Sequence, residues 1–467
     1  MLRLFTLITL ILAGAASLYG QTFTYSLETQ AIAGTAEKAP FWLVSNRHSM
    51  FGQGETGGFM RATMEATGNL GTWFRYKTGV DMVGRPLGQQ ALYFNQAYLN
   101  LGYGAFELFG GRMIETIGNH DETLSSGSMG ISTNATPMPK IRLGIPEYMA
   151  LPYTHGFIQI KGHLAHGWFE NDRYTASPYL HEKSAYARFN GNRVFSIYGG
   201  LTHFGYWGGN SPDHGEISTS LQDFKRIFLM TGGADEDAPA GWQAYMYGDS
   251  RGIWDIGFEL QGGTYNLNVY RHFLIEDKDG LKFNSPQDGL LGFSLKNSKK
   301  GLIDGIVYEH LYTKWQNGPD GPGSRATGKG GWDNYYNNSI YRSGWTYHER
   351  TIGTPLFLTH NEKGSGRLKI ISNRIVAHHV GIEGILTNSI RHRFLLTYSR
   401  NYGTYAERAG FDDFEFQGGK EQFSFLMETT THLPGKNNIE LLAALAFDTG
   451  EVYTNNLGLI LGVRFGK

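Results

Sequence analysis

The 467-residue chain has no cysteine. That excludes a disulfide framework, a thiolate metal centre and an acylated cysteine anchor. Charge is scarce and balanced: charged residues make up 18 %, and 41 Lys and Arg stand against 42 Asp and Glu. A nucleic-acid partner would demand a basic stripe to displace counterions, which a net charge of −1 does not suggest. Long apolar runs are missing beyond the first residues. Leu441–Phe447 is among the longest, far short of the ~20 residues a membrane-spanning helix needs. What is abundant is glycine, with 64 residues, and aromatic side chains at 14 %, the former well above the ~7 % of ordinary proteins. With 40 % apolar residues the chain can bury a large core, so wholesale disorder is excluded.

The first twenty residues are of a different kind. Arg3 gives a basic start, Leu4 to Ala16 is almost wholly apolar, and small residues from Ala13 to Ser17 lead to Gly20 and Gln21. This is the pattern of a secretory signal, cut after Gly20.

Beyond it the recurring feature is alternation. Trp254, Ile256, Phe258 and Leu260 fall on one face of an extended segment, and Asp255, Gly257, Glu259 and Gln261 on the other, as successive strand side chains must. Gly262-Gly263-Thr264 supplies a turn, and Tyr265, Leu267 and Val269 alternate with Asn266 and Asn268, making a hairpin. The same period runs through Phe74 to Met82, Ile158 to Leu164, and Phe394 to Tyr398, where Leu395 is a mismatch. The final strand places Leu457, Leu459, Leu461, Val463 and Phe465 on one face and Gly458, Gly462 and Arg464 on the other, with Ile460 the exception. Two stretches break the pattern: Ser218–Met230 has helical spacing after a capping Ser/Thr run, and Glu37–Ser45 carries Pro40 near its start.

An all-β fold follows. In lipid every backbone polar group must pair internally, so spanning strands must close into a barrel. Its strands are apolar outside, polar inside and girdled by aromatics. Export, many aromatics and a closing strand ending at Phe465, which outer-membrane assembly machinery would read, favour a closed antiparallel transmembrane barrel over a secreted β-sandwich or propeller. Residues 21–467 are then a single outer-membrane domain with a short N-terminal periplasmic or plug segment.

Several segments resemble the Bacteroidetes branch of the capsule-assembly (Wzi) family. They include Ala39-Pro40-Phe41-Trp42-Leu43, Leu124-Ser125-Ser126-Gly127 through Asn134-Ala135-Thr136-Pro137-Met138-Pro139, and Gly144-Ile145-Pro146-Glu147-Tyr148. Ile160-Lys161-Gly162-His163, Glu276-Asp277, Asp288-Gly289-Leu290-Leu291-Gly292, and Tyr308-Glu309 with Thr313 and Gln316 follow in order. Asp333-Asn334-Tyr335-Tyr336-Asn337-Asn338, Gly344-Trp345-Thr346-Tyr347 and Ile352-Gly353-Thr354-Pro355 complete the series. Thr136 departs from it, since the family usually has Arg there. The resemblance implies an 18-stranded outer-membrane barrel with short helices near its periplasmic end or in loops. It also implies a non-enzymatic, lectin-like protein that holds capsular or related polysaccharide at the cell surface.

A sugar ring offers an apolar face to aromatics and hydroxyls to amides and carboxylates. Trp332, Asp333, Asn334, Tyr335, Tyr336, Asn337, Arg342, Trp345 and Tyr347 bring both kinds together and are the candidate polysaccharide-binding residues, although aromatics at strand ends also serve as interface girdles. Glu276, Asp277, Asp279 and Glu309 could hold a cation but read more simply as solvated acids. Catalytic patterns fail. Gly323 to Gly330 lacks the Ser/Thr after Lys329 of a phosphate-binding loop, His181-Glu182 and His348-Glu349 lack a second histidine, and no G-x-S-x-G elbow occurs. Adjacent His378 and His379 in a strand must point to opposite faces. No catalytic residue, metal or cofactor is expected. Expected partners are surface polysaccharide, outer-membrane lipid and the assembly machinery. The alternatives are a porin or solute channel and, after it, a membrane-associated glycan hydrolase.

Overall fold

A computed structural model describes residues 22–52, 56–85, 91–191, 194–232, 247–276, 280–318, 333–348, 350–361, 368–387, 389–405, 416, 418–433 and 435–467. The expected signal segment, Trp332, Asp277 and Asp279 lie outside the described residues.

Among these residues the first nine strands of one sheet are β1 (Thr22–Gly34), β2 (Gly57–Leu70), β3 (Phe74–Gly84), β4 (Leu92–Tyr103), β5 (Phe106–Arg112), β6 (Lys140–Ala150), β7 (Ile158–Trp168), β8 (Tyr179–Asn190) and β9 (Phe195–Trp207). The other nine are β10 (Asp249–Gly262), β11 (Tyr265–Ile275), β12 (Gly289–Asn297), β13 (Gly305–Tyr312), β14 (Ile375–Thr387), β15 (Ile390–Asn401), β16 (Lys420–Leu433), β17 (Lys436–Gly450) and β18 (Asn456–Gly466). Each pairs antiparallel with its sequence neighbours in this 18-stranded sheet. β1 also pairs with β18, from Ser26 opposite Gly466 to Gly34 opposite Gly458, and so closes the cylinder. No described helix is long and apolar enough to cross a membrane; the strands do it.

An even strand number returns both termini to one end. The connections at that end are short, 151–157 and 298–304 being the longest, whereas the other end carries the long ones (35–56, 113–139, 208–248, 313–374) beside the short 451–455, the asymmetry of outer-membrane barrels with their longer loops outside the cell. The Gly262–Tyr265 hairpin forms as expected, with Gly263 at φ +61° in its two-residue turn, a conformation that glycine adopts without steric cost. Outward-facing Phe74, Tyr103, Phe106, Phe189 and Tyr265, with Trp73 and Phe157 beside them, are exposed near the turn end and make an aromatic girdle. The two described helices lie in loops: α1 (Phe41–Val44) and α2 (Leu221–Leu229), the latter capped by Ser220, whose hydroxyl accepts from the Asp223 N–H.

The lumen is not an open aqueous channel. The 113–139 connection descends into the barrel, where Lys296 reaches Asp121 at 2.9 Å and Arg393 Nη1 donates to the Thr123 carbonyl at 3.0 Å, both near the turn ends of β12 and β15. It then returns, and the 333–361 segment packs over it. This explains the two mismatches in the alternation. Leu461 on the outer face is 55 % exposed, whereas Ile460 is 0 % and Leu395 3 % exposed. Both belong, with Ile32, Leu426, Val307 and Leu290, to an inward apolar ring that packs in one core with Trp42, Leu124, Met129, Ile131 and Phe357. Beside the polar anchors of the plug, the wall is apolar inside at these positions.

Candidate functional site

The plug is fastened to the wall by polar side chains whose positions the strands fix. Glu309 of β13 points inward and is 1 % exposed. It accepts from Ser125 Oγ at 2.6 Å, Tyr270 Oη at 2.5 Å, and both the N–H and hydroxyl of Ser126 at 2.7 and 2.5 Å. His379 of β14, inward as its neighbour His378 is outward, pairs with the Leu124 carbonyl at 2.7 Å. Further round the same side of the wall, Asp255 of β10 accepts from the Asn119 N–H at 2.7 Å. α1 is held by Asp448, which accepts from the Phe41 N–H at 2.8 Å, and by the Trp42 indole, which donates to Thr397 at 3.1 Å.

The sequence candidates divide in two. Tyr335, Tyr336, Trp345 and Tyr347 are 1–2 % exposed and brace the plug. Tyr335 donates to Asp288 at 2.8 Å, Tyr336 to the Met129 carbonyl at 2.6 Å, and the Trp345 indole to the Gly130 carbonyl at 2.8 Å. Tyr347 accepts from Arg112 at 2.9 Å. Their apolar faces are spent on neighbouring rings, such as Phe357 4.6 Å from Tyr336 and Phe204 4.8 Å from Trp345. Asp333, Asn334 and Asn337 are half-buried in the same segment. Asn337 donates to Asn334 at 3.0 Å, and Asn317 donates to Asp333 at 2.6 Å. Arg342 is the exposed member. Its guanidinium donates to Asp213 at 2.7 Å and lies 4.5 Å from the Tyr174 ring, while the Tyr174 hydroxyl donates to the same Asp213 oxygen at 2.7 Å. A cation, a carboxylate and an aromatic thus meet at the loop end, the functional-group set that reads sugar hydroxyls and acidic sugars. Thr136, the departure from the family pattern, is buried, and its hydroxyl donates to the His48 carbonyl at 3.4 Å.

The acids considered for a cation are separated by role. Glu309 receives plug hydroxyls, whereas Glu276 accepts from the Tyr336 N–H at 2.8 Å with Arg251 3.8 Å away. Burial pushes the Glu276 carboxyl upward in spite of that arginine. Among the described residues no three His, Asp or Glu side chains gather as metal ligands. Sequence reasoning missed Arg173, buried in the 169–178 loop, which donates to the Thr346 and Gly344 carbonyls at 3.1 and 3.0 Å. Asp288 it quoted only within the family-like series, without a role. Nothing in their local spacing marks either, because their partners stand far away in the chain.

Asp288 carries a pH-dependent contact. Burial pushes its carboxyl up to about 6, against the Gln316 N–H and the Tyr335 hydroxyl, which favour the charged form. The folded state therefore holds a proton that an unfolded aspartate, near ~3.9, has released. Its contribution to stability is fully present below about pH 4 and is lost as pH rises through about 6, by up to ~3 kcal/mol at ~1.4 kcal/mol per unit. Asp288→Asn should remove that slope. Hydrogen exchange at the Trp315 and Gln316 amides between pH 4 and 7 checks it, and an identical pH profile in the variant would refute the assignment.

The model of the family described as capsule assembly protein Wzi matches residues 43–360. In structure the chain is similar to the Escherichia coli outer-membrane protein Wzi, a carbohydrate-binding β-barrel involved in group 1 capsule assembly. The TM-score is 0.59 at 11 % identity, covering 94 % of this chain and 84 % of that one. It is also similar to Acinetobacter baumannii OccAB4, with TM-score 0.50 at 9 % identity over 97 % and 99 % of the two chains. At such identities these likenesses speak for the fold alone. No curated protein matches it in sequence.

Proposed function

Because this chain belongs to the Wzi family of capsule assembly proteins, we propose that it holds capsular or a related surface polysaccharide at the outer face of the outer membrane, as a lectin-like and non-enzymatic barrel. The family match carries this reading. The span that matches contains the plug arm from Leu124 to Pro139 and the Asp333–Tyr347 segment as well as the wall strands β2 to β13. The E. coli relative is a carbohydrate-binding barrel, which supports the same role here. Polysaccharide contact then falls to the rim, at Tyr174, Asp213 and Arg342 with Asp333, Asn334 and Asn337 behind them. The buried Tyr335, Tyr336, Trp345 and Tyr347 set the shape of that rim from below. Against a porin reading stands the 113–139 arm, which packs inside the barrel against inward wall residues such as Glu309 and His379.

Deleting the gene should release polysaccharide from the cell surface into the medium, and Arg342→Ala with Tyr174→Ala should lower retention several-fold while the barrel remains folded in the membrane. Immunoassay of cell-bound against shed polysaccharide measures both. Full surface retention in the deletion strain would overturn the role; full retention in the folded double variant would overturn the site.

A further inference from the structure

On the outer wall, at the loop end of β13 to β16, the apolar surface gives way to a compact group of cations and tyrosines. By alternation with the buried Leu311, Ser399 and Asn401, Tyr312 and Arg400 are outward on β13 and β15; Lys314 and Tyr402 continue that side just past the strand ends, and Arg374, just before β14, is only 8 % exposed. Lys314 Nζ stands 4.0 Å from the centre of the Tyr402 ring, and the Arg400 guanidinium stands 5.6 Å from the same ring. Arg374 lies 4.0 Å from the Tyr405 ring and donates through Nε to the Lys314 carbonyl at 3.2 Å. These are three positive charges around two tyrosines. Arg400 stands 3.9 Å from Glu421, itself 51 % exposed, and donates through Nη2 to the Gly418 carbonyl at 2.7 Å. Among the described residues Lys314 has no ion-pair partner. Towards the turn end the same strands turn Ile306, Tyr308, Leu396 and Phe423 outward, each 38–44 % exposed, a surface suited to acyl chains.

The height of this group decides what can reach it. An apolar band on a barrel's outer surface matches the hydrocarbon, with aromatic rings at both edges. Cations one or two residues beyond that band, on the long-loop side, lie at the level of the outer-leaflet headgroups. A cation held against a lipid surface is drawn to anionic headgroups, and guanidinium with ammonium is the pairing that phosphate oxygens accept.

We infer that this outer-wall cluster binds the phosphate of an outer-leaflet lipid, with Lys314 and Arg400 contacting the phosphate, Arg374 holding the Lys314 backbone in place, and Ile306, Leu396 and Phe423 receiving an acyl chain. This site is separate from the polysaccharide rim and does not depend on it: the rim faces the aqueous side, whereas the cluster faces the membrane plane. It would seat the barrel at a fixed depth and hold one lipid through purification.

The test uses the full chain in detergent, followed by native mass spectrometry with three probes: phosphorylated lipid A, the same lipid with its phosphates removed, and inorganic phosphate alone. Phosphorylated lipid A is expected to bind at least tenfold more tightly than the dephosphorylated form. Lys314→Ala with Arg400→Ala should abolish that preference, while Lys300→Ala, on the turn-end connection 298–304, leaves it intact. Near-ultraviolet circular dichroism confirms that each variant keeps its packed fold. Equal binding of the two lipids, an undiminished preference in the double variant, or occupancy by inorganic phosphate at the same concentration would each overturn the site. Should the double variant misfold, Lys314→Gln and Arg400→Gln taken singly are expected to lose at least threefold each, and no loss in either has the same adverse meaning.

Discussion

Replacing Glu309 by alanine is expected to unseat the plug and turn a silent barrel into a conducting one. Four donors converge on its carboxyl group: the Ser125 hydroxyl, the Ser126 hydroxyl and N–H, and the Tyr270 hydroxyl. All are in the interior, so the truncation leaves each without its acceptor. An orphaned buried donor costs about 1–3 kcal/mol, and even with partial relaxation the sum should reach ~4 kcal/mol. That loss falls on one contact between the wall and the 113–139 arm, so the arm should loosen before the barrel melts. Single-channel recording in planar bilayers should show ion steps in Glu309→Ala that the parent lacks, with Glu309→Gln intermediate because its amide keeps one acceptor oxygen. A variant as silent and as stable as the parent would mean that the apolar packing around Leu124 holds the arm without this anchor.

Lys140→Met is the second large effect. The Lys140 ammonium, 1 % exposed, bridges Glu115 of the arm and Glu182 of β8. Arg142 also pairs with Glu115 at 2.8 Å, and His163 with Glu182 at 2.6 Å. Removing the shared cation leaves the fully buried Glu182 with only its histidine. Breaking a buried pair by deleting one partner typically costs about 3–5 kcal/mol, whereas replacing the whole set by apolar groups of similar size can be neutral. Lys140→Met alone should therefore lower the urea midpoint in lipid vesicles strongly, and Lys140→Met with Glu182→Leu should recover most of the loss. If the double variant were worse than the single one, the pair would not be coupled in this way.

Much of the wall could be read from the chain, and little of its filling. Alternation from Trp254 to Leu260, the Gly263-Thr264 turn and the facing of His378 against His379 depend on neighbours one or two residues away, so period alone fixes them. The strand count came from the family resemblance and not from spacing. Leu395 and Ile460 looked like errors in the pattern because the pattern assumed water inside; they are the imprint of the plug on the wall. The sequence singles out the aromatic segment from Tyr335 to Tyr347 for polysaccharide, but composition cannot separate a ring that stacks on sugar from one that stacks on Phe357 or Phe204. That distinction depends on residues as far as 215 positions away in the chain. The polar motifs tell the same story: Ser125-Ser126 and Glu309 were both visible as family motifs, and only the fold shows that each is the other's partner.

The stacking of the interior also implies a sequence of events. The 113–139 arm lies underneath, and Tyr336 and Trp345 close over Met129 and Gly130 from above, so the lower layer must be seated before the upper one arrives. The seam pairs the first strand with the last, so the cylinder can close only when both ends of the barrel are present together.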